Sequence, residues 1–315
     1  MRAHYFPTHS RNTAAPVAVI GAAGFLGRNL VNALASTGVQ PFVFTRDQPF
    51  VRRDRLHRAL LRCKTIFFLA GSITPSSAER EPQRVADDQR LLTTLLRGLR
   101  DCDRPPLVVL ASSGGTVYDP TVAPPYREND PTRPVNAYGR AKLAQEAQLL
   151  DSREWIVPVI LRFANIYGPG QRAGAGFGVI AHWIRAVLAD TPVRMIGQTK
   201  RDYLHVHDAT AALVAVCRHH AMLREQREAV VLNIGSGVPT SLQELHGYLE
   251  RALGRTIPVR REPARAFDRT DVWLDVEAAR RRLAWTPRID LVPGLAETLD
   301  AAIGEHALPR QSRFG

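Results

Sequence analysis

Tyr138 and Lys142 stand at positions i and i+4 in the stretch Tyr138-Gly-Arg-Ala-Lys142. On a helix such residues share a face, which sets an ammonium beside a phenol. A neighbouring positive charge favours phenolate and draws a phenol pKa down. Tyr138 is therefore a candidate general base for a hydroxyl proton. A chance pairing on a solvated helix face is the plain alternative, and two features oppose it. Lys142 is one of only three lysines (Lys64, Lys142, Lys200) in 315 residues. The pair also follows, by about 25 residues, the hydroxyl-rich run Ser112-Ser113-Gly114-Gly115-Thr116-Val117-Tyr118. That run ends an apolar stretch, Leu107 to Ala111, which reads as a strand. Ligands of open α/β sheets gather at strand C-termini, where Ser113 or Thr116 can share a proton with Tyr138.

A second pattern concerns phosphate. Gly21-Ala-Ala-Gly24-Phe25-Leu26-Gly27 follows the apolar run Val17 to Ile20 and leads into Leu26, Leu30 and Leu34 at helical spacing. Backbone N–H groups at a helix N-terminus bind a phosphate bridge when no side chain stands in the way, and glycine permits that approach. The spacing is G-x-x-G-x-x-G, for which an ordinary structural turn is the competing reading. Its position after a strand favours a dinucleotide turn. A carboxylate at the end of the next strand would bond a ribose 2′-hydroxyl and select NAD. Here the strand ends Phe44-Thr45-Arg46-Asp47, with Thr45 where the acid belongs and Arg46 placed to clamp a 2′-phosphate. The cofactor reading is NAD or NADP, with NADP favoured by Arg46.

These residues need a frame. Short apolar runs alternate with amphipathic stretches: Val17–Ile20, 42–45, 65–69, 107–111 and 156–161 read as strands, with helices after Gly24, around 56–61, over 84–99 and from an Asn136 cap to about residue 150. Strands unbroken by polar residues, separated by helices, predict a parallel sheet covered on both faces. The fold class is α/β, a Rossmann-type doubly wound sheet with a smaller C-terminal substrate-binding lobe. The predicted division is 14–168 for the dinucleotide-binding part, with later segments returning to it, and 169–315 for the lobe. Within the lobe, helices are expected at 179–189, from an Asp208 cap to about 219, and after the Ser241/Glu244 capping box.

Composition excludes several classes. At 45% hydrophobic and 23% charged the chain has ordinary globular usage, and no apolar run approaches the ~20 residues of a spanning helix. Cys63, Cys102 and Cys217 are too few and too scattered for a disulfide frame. The first sixteen residues show no secretory signal pattern, so the expected location is cytoplasmic. The net charge of +12 comes with 39 arginines among 42 basic residues, scattered and without interleaved aromatics, and argues for no nucleic-acid partner. His205 and His207 flank Val206, but a metal site needs a third clustered ligand, and the sequence shows none. No metal is expected.

Taken together, the chain resembles the extended short-chain dehydrogenase/reductases, and among them the nucleotide-sugar epimerases of the UDP-glucose 4-epimerase type. The resemblance runs from about Val17 to Trp285. It is carried by Gly21, Gly24 and Gly27, by Leu69-Ala70-Gly71, by the serine segment, by Tyr138 and Lys142, by Leu161-Arg162-Phe163-Ala164-Asn165-Ile166-Tyr167-Gly168-Pro169, and by Arg201-Asp202-Tyr203-Leu204-His205-Val206.

The resemblance implies a nucleotide-sugar 4-epimerase acting by transient hydride transfer through a 4-keto sugar, or alternatively an NADPH-dependent 4-keto sugar reductase. It implies that Phe25, Leu26, Leu69, Ala70, Gly71, Ser112 and Phe163 line the cofactor. Asn165, Arg201, Arg265 and Asp268 would contact the nucleotide sugar, and the chain would form a homodimer. There are departures. The family's active-site hydroxyl falls on Gly114, which leaves Ser113, the preferred candidate, or Thr116 to replace it. Gly178 stands where a sugar-contacting asparagine is often found.

Overall fold

The computed structural model describes residues 16–53, 55–173, 178–226, 228–263 and 271–307. From the N-terminus run β1 (Val17–Ile20), α1 (Phe25–Ser36), β2 (Phe42–Phe44), the hairpin β3 (Val51–Arg52) and β4 (Arg55–Leu56), β5 (Thr65–Phe68), α2 (Pro75–Arg80), α3 (Pro82–Gly98), β6 (Leu107–Ser113), α4 (Ala137–Asp151), β7 (Val157–Phe163) and β8 (Asn165–Tyr167). Then follow α5 (Val179–Leu188), β9 (Val193–Ile196), β10 (Lys200–His205), α6 (Val206–Arg218), α7 (His220–Gln226), β11 (Val230–Ile234), β12 (Pro239–Ser241), α8 (Leu242–Leu253), β13 (Val259–Glu262), β14 (Asp271–Val272), α9 (Glu277–Leu283) and α10 (Leu291–Ala307).

Six strands form one parallel sheet in the order β11-β7-β6-β5-β1-β2. Its strands are buried on both faces because successive side chains alternate sides. Val17 and Val19 enter one apolar layer, with Leu30 and Leu34 of α1 and Leu213 of α6. Ala18 and Ile20 enter the other, with Leu92 and Leu95 of α3 and Leu149 of α4. β1 lies between β2 and β5, so the winding direction reverses there and opens a crevice at the strand C-termini. A separate apolar cluster around Trp183, Tyr203, Leu245 and Leu295 supports the remaining elements.

Two expectations of local structure are corrected. Residues 56–61 are not a helix. Leu56 ends the β3–β4 hairpin, and only a short 3-10 turn, Leu60–Arg62, follows. The hairpin turns through Arg53 at φ 48°, and Leu56 packs against the bare backbone of Gly98. The α6 cap is also not Asp208. His205 occupies the N-cap and accepts from the His207 N–H, while Asp208 Oδ2 accepts from the N–H groups of Arg288 (3.0 Å) and Ile289 (2.8 Å). The Asn136 cap and the Ser241/Glu244 capping box stand as expected.

Candidate active site

α4 is placed by its first turn. Asn136 Oδ1 accepts from the Gly139 N–H at 2.7 Å. A Cβ at Gly139 would meet the Thr116 carbonyl at 2.5 Å, so this helix start rests directly on the 113–118 segment. Tyr138 is half-buried there. One turn on, Lys142 Nζ donates to the Ala111 carbonyl at 3.0 Å and to Gln145 Oε1 at 3.3 Å. The ammonium is thereby fixed over the C-terminal end of β6, 5.9 Å from the Tyr138 ring centroid.

The electrostatics differ from the sequence expectation. Burial pushes the Tyr138 phenol up to about 12, and the Asp88 carboxylate adds to the shift. Burial draws Lys142 down to about 8, against the pull of Asp88 and Glu146. The pair alone does not make a phenolate. Loss of hydration and the Asp88 charge outweigh an ammonium that faces Ala111 and Gln145. Asp88 itself is held in place by Ser72, which donates from its N–H at 2.8 Å and from its hydroxyl at 3.0 Å.

Gly114 stands where the family that the chain resembles places its active-site hydroxyl. A Cβ at this position would meet Leu274 Cδ1 at 2.6 Å, so Leu274 fills the space. Ser113 is half-buried, and no hydrogen bond from its hydroxyl is found among the described residues. Thr116 Oγ1 is closed off from the surface and has no hydrogen-bond partner among the described residues.

Beneath these residues lies a buried polar network. Arg162 donates to Glu146 through Nε at 3.1 Å and Nη2 at 2.7 Å. The two side chains are 7% and 3% exposed. Ser112 turns its hydroxyl onto Glu146 Oε1 at 2.5 Å, which makes its side chain part of this network. Arg162 Nη1 reaches the Tyr118 hydroxyl, which donates to Asn233 Oδ1 at 2.6 Å. The network joins β6, α4, β7 and β11 below the Tyr138–Lys142 face.

The glycine turn is built for an anion. α1 begins after Gly24 with no side-chain cap and no acid in its first turn, which leaves its N–H groups free for a negative group. Gly21 adopts φ +91°, and a Cβ there would strike the backbone of Leu69 and Ala70. A Cβ at Gly27 would collide with the Gly21 carbonyl. Gly21, Gly24, Phe25, Leu26 and Gly27 thus form a cradle flanked by Leu69, Ala70 and Gly71, and these residues fit a dinucleotide pyrophosphate. At the end of β2, Thr45 Oγ1 accepts from the Gln48 N–H at 3.1 Å, while Arg46 is exposed.

On the substrate side, Phe163 is buried at the end of β7. Asn165 Nδ2 donates to the Asp202 carbonyl at 3.0 Å. Arg201, half-buried on β10, donates to the Lys200 carbonyl. Arg265 and Asp268 lie outside the described residues, as do Gly174 and Gly176. Gly178 adopts φ +81° ahead of α5. Sequence reasoning missed Asp88, Glu146, Arg162 and Leu274. Only Glu146 carried a signal, the spacing that puts it one further turn along the face of Tyr138 and Lys142. The expectation of no metal rested on a missing third ligand, and α10 brings Glu297 to His205 and His207.

A family model described as the NAD dependent epimerase/dehydratase family matches residues 17–235. The UDP-glucose 4-epimerase of Mycolicibacterium smegmatis is 31% identical, with 90% of this chain and 96% of that protein covered. Among solved structures, the Thermotoga maritima UDP-glucose 4-epimerase with UDP-glucose is 27% identical at a TM-score of 0.80, covering 92% of this chain and 99% of that one. The Thermus thermophilus UDP-glucose 4-epimerase in complex with NAD is 25% identical at a TM-score of 0.77, covering 92% and 99%.

Proposed function

The chain belongs to the NAD dependent epimerase/dehydratase family, and from that premise we propose that it is a nucleotide-sugar 4-epimerase. The observation that carries the reading is the placement of α4. Lys142 is anchored on the Ala111 carbonyl and Tyr138 lies one turn before it, at the strand ends that border the glycine cradle. A bound nicotinamide dinucleotide supplies the acceptor and donor for the C4 hydride and a positive ring beside Tyr138. Gly21 to Gly27 would hold its pyrophosphate and Lys142 its ribose. Tyr138 takes the proton of the sugar C4 hydroxyl and later returns it to the 4-keto group. Asn165 and Arg201, with Arg265 and Asp268, hold the nucleotide end. Anchoring there lets the sugar present either face without leaving, which keeps each step effectively unimolecular.

Both relatives with solved complexes act on or hold ligands of this kind, UDP-glucose in one and NAD in the other. In this reading residues 14–168, with later segments such as β11 returning to their sheet, hold the cofactor, and 169–315 mainly hold the sugar nucleotide. In this reading the enzyme is a cytoplasmic homodimer, paired through a helix pair that includes α4, and it serves polysaccharide synthesis.

The test is incubation with UDP-, GDP- and dTDP-sugars, with and without NAD and NADPH, followed by NMR. Appearance of the C4 epimer without net NADPH oxidation is expected. Stoichiometric NADPH oxidation would make the protein a 4-keto sugar reductase, and no conversion of any member would overturn both readings.

Two further results are expected. Ser113 is half-buried at the end of β6, whereas Thr116 Oγ1 is closed off from the surface. Ser113→Ala therefore lowers kcat by about 10²-fold, and Thr116→Val lowers it less. The opposite order in steady-state assays would assign the relay to Thr116. With Thr45 turned to Gln48 and Arg46 exposed, Arg46→Ala weakens NADP binding by about tenfold and leaves NAD unchanged, a loss of one charge-assisted contact. Equal titrations of both cofactors in wild type and variant would remove Arg46 from the site.

A further inference from the structure

At the corner between β10 and α6, three chemically competent side chains converge from segments 90 residues apart. His205 Nε2 lies 3.6 Å from Glu297 Oε2, and His207 Nδ1 lies 3.5 Å from Glu297 Oε1. All three ligand atoms lie within 4.8 Å of one another. Zinc–nitrogen and zinc–oxygen bonds of 2.0–2.2 Å set tetrahedral ligand atoms about 3.3 Å apart. The two short separations end on different Glu297 oxygens, and with one ligand atom per residue the set spans up to 4.8 Å, so a modest turn of the exposed Glu297 and His207 side chains closes the edges around an ion.

The surroundings leave room for an ion. His205 has a side-chain exposure of 0%, yet its Nε2 makes no hydrogen bond among the described residues. Two glycines clear the ring. A Cβ at Gly168 would stand 3.2 Å from His205 Nε2, and one at Gly294 would stand 3.1 Å from His205 Cδ2. Glu297 and His207 are 45% and 49% exposed, which provides the entry path and the freedom to close the remaining distance.

The geometry points to a divalent transition-metal site of the zinc class, with His205 Nε2, His207 Nδ1 and a Glu297 oxygen as three ligands and water as the fourth. Two imidazoles and one carboxylate form a donor set suited to zinc and its neighbours. Ligation through Nε2 moves the His205 ring proton to Nδ1 and gives up its long, 3.4 Å hydrogen bond from the His207 N–H. In exchange the ion clasps α10 to the β10–α6 corner. This site is separate from the Tyr138 chemistry and uses none of its residues.

The test uses the untagged full chain. Zn²⁺ titration by calorimetry should show one equivalent per chain, and Co²⁺ should give the visible absorption bands of a tetrahedral ion. His207→Ala and Glu297→Gln, both at exposed positions, should each weaken Zn²⁺ by at least about tenfold. Saturating Zn²⁺ should raise the thermal midpoint of the wild type and not of the two variants. Absence of stoichiometric binding, octahedral Co²⁺ spectra, or equal Zn²⁺ affinity in wild type and both variants would overturn the site.

Discussion

Tyr138→Phe is expected to lower the rate of C4 inversion by about 10²–10⁴-fold, the range of a positioned acid–base group, while UDP binding by calorimetry stays within about twofold of wild type. The phenyl ring keeps the packing, and no hydrogen bond from the Tyr138 hydroxyl to a described residue is lost. A pH dependence follows from the same residue. Burial and Asp88 hold the phenol up at about 12, so without cofactor Tyr138 remains protonated through neutral and mildly alkaline pH. The cationic nicotinamide ring favours the charged form. Phenolate absorbance that is present in the wild type and missing from Tyr138→Phe should therefore emerge at pH 8–9 only when oxidised cofactor is added. Undiminished turnover of the Phe variant would remove Tyr138 from its role, and phenolate at pH 8 in the cofactor-free chain would mean that burial and Asp88 do not hold the phenol up.

The second large effect is on stability. Arg162→Met leaves the Glu146 carboxylate buried with the Ser112 hydroxyl and without its bidentate partner. Stranding one member of a buried pair costs about 3–5 kcal/mol. Replacing both members by apolar groups of similar size is often close to neutral, so the Arg162→Met, Glu146→Met double variant should regain most of the loss. Urea denaturation of the two variants measures this. A single variant within about 1 kcal/mol of wild type would mean that water reaches Glu146 and that the network is not closed.

The two predictions rest on residues of different legibility. Tyr138, Lys142 and the Gly21–Gly27 turn are readable because their chemistry is local: one helix turn, or one strand-to-helix junction, places all the atoms required. The parallel sheet is readable for a related reason, since β1, β5, β6 and β7 carry apolar side chains on both faces. What the sequence conceals is pairing at a distance. Glu146 and Arg162 lie on different elements, Asp88 meets Ser72 across a loop, and Leu274 fills the space beside Gly114 from 160 residues away. In the cofactor-free chain Lys142 by itself does not lower the Tyr138 pKa, because Asp88 arrives from α3 and burial removes water from the phenol; the expected lowering needs the nicotinamide ring as well. Residues 56–61 mislead because Leu56 and Leu60 share a helical spacing, whereas Leu56 is placed by the bare surface of Gly98. Glu297 enters the His205–His207 pair from α10, beyond the reach of any spacing rule.

The most direct measurement of the central claim follows the hydrogen on the sugar. The nucleotide sugar that the panel identifies as substrate, deuterated at C4, should yield the inverted sugar with deuterium still at C4, in ordinary water and with catalytic cofactor, because the label leaves and returns within one closed site. Inversion with deuterium lost to solvent, or no inversion by a cofactor-loaded protein with any nucleotide sugar, would contradict the account.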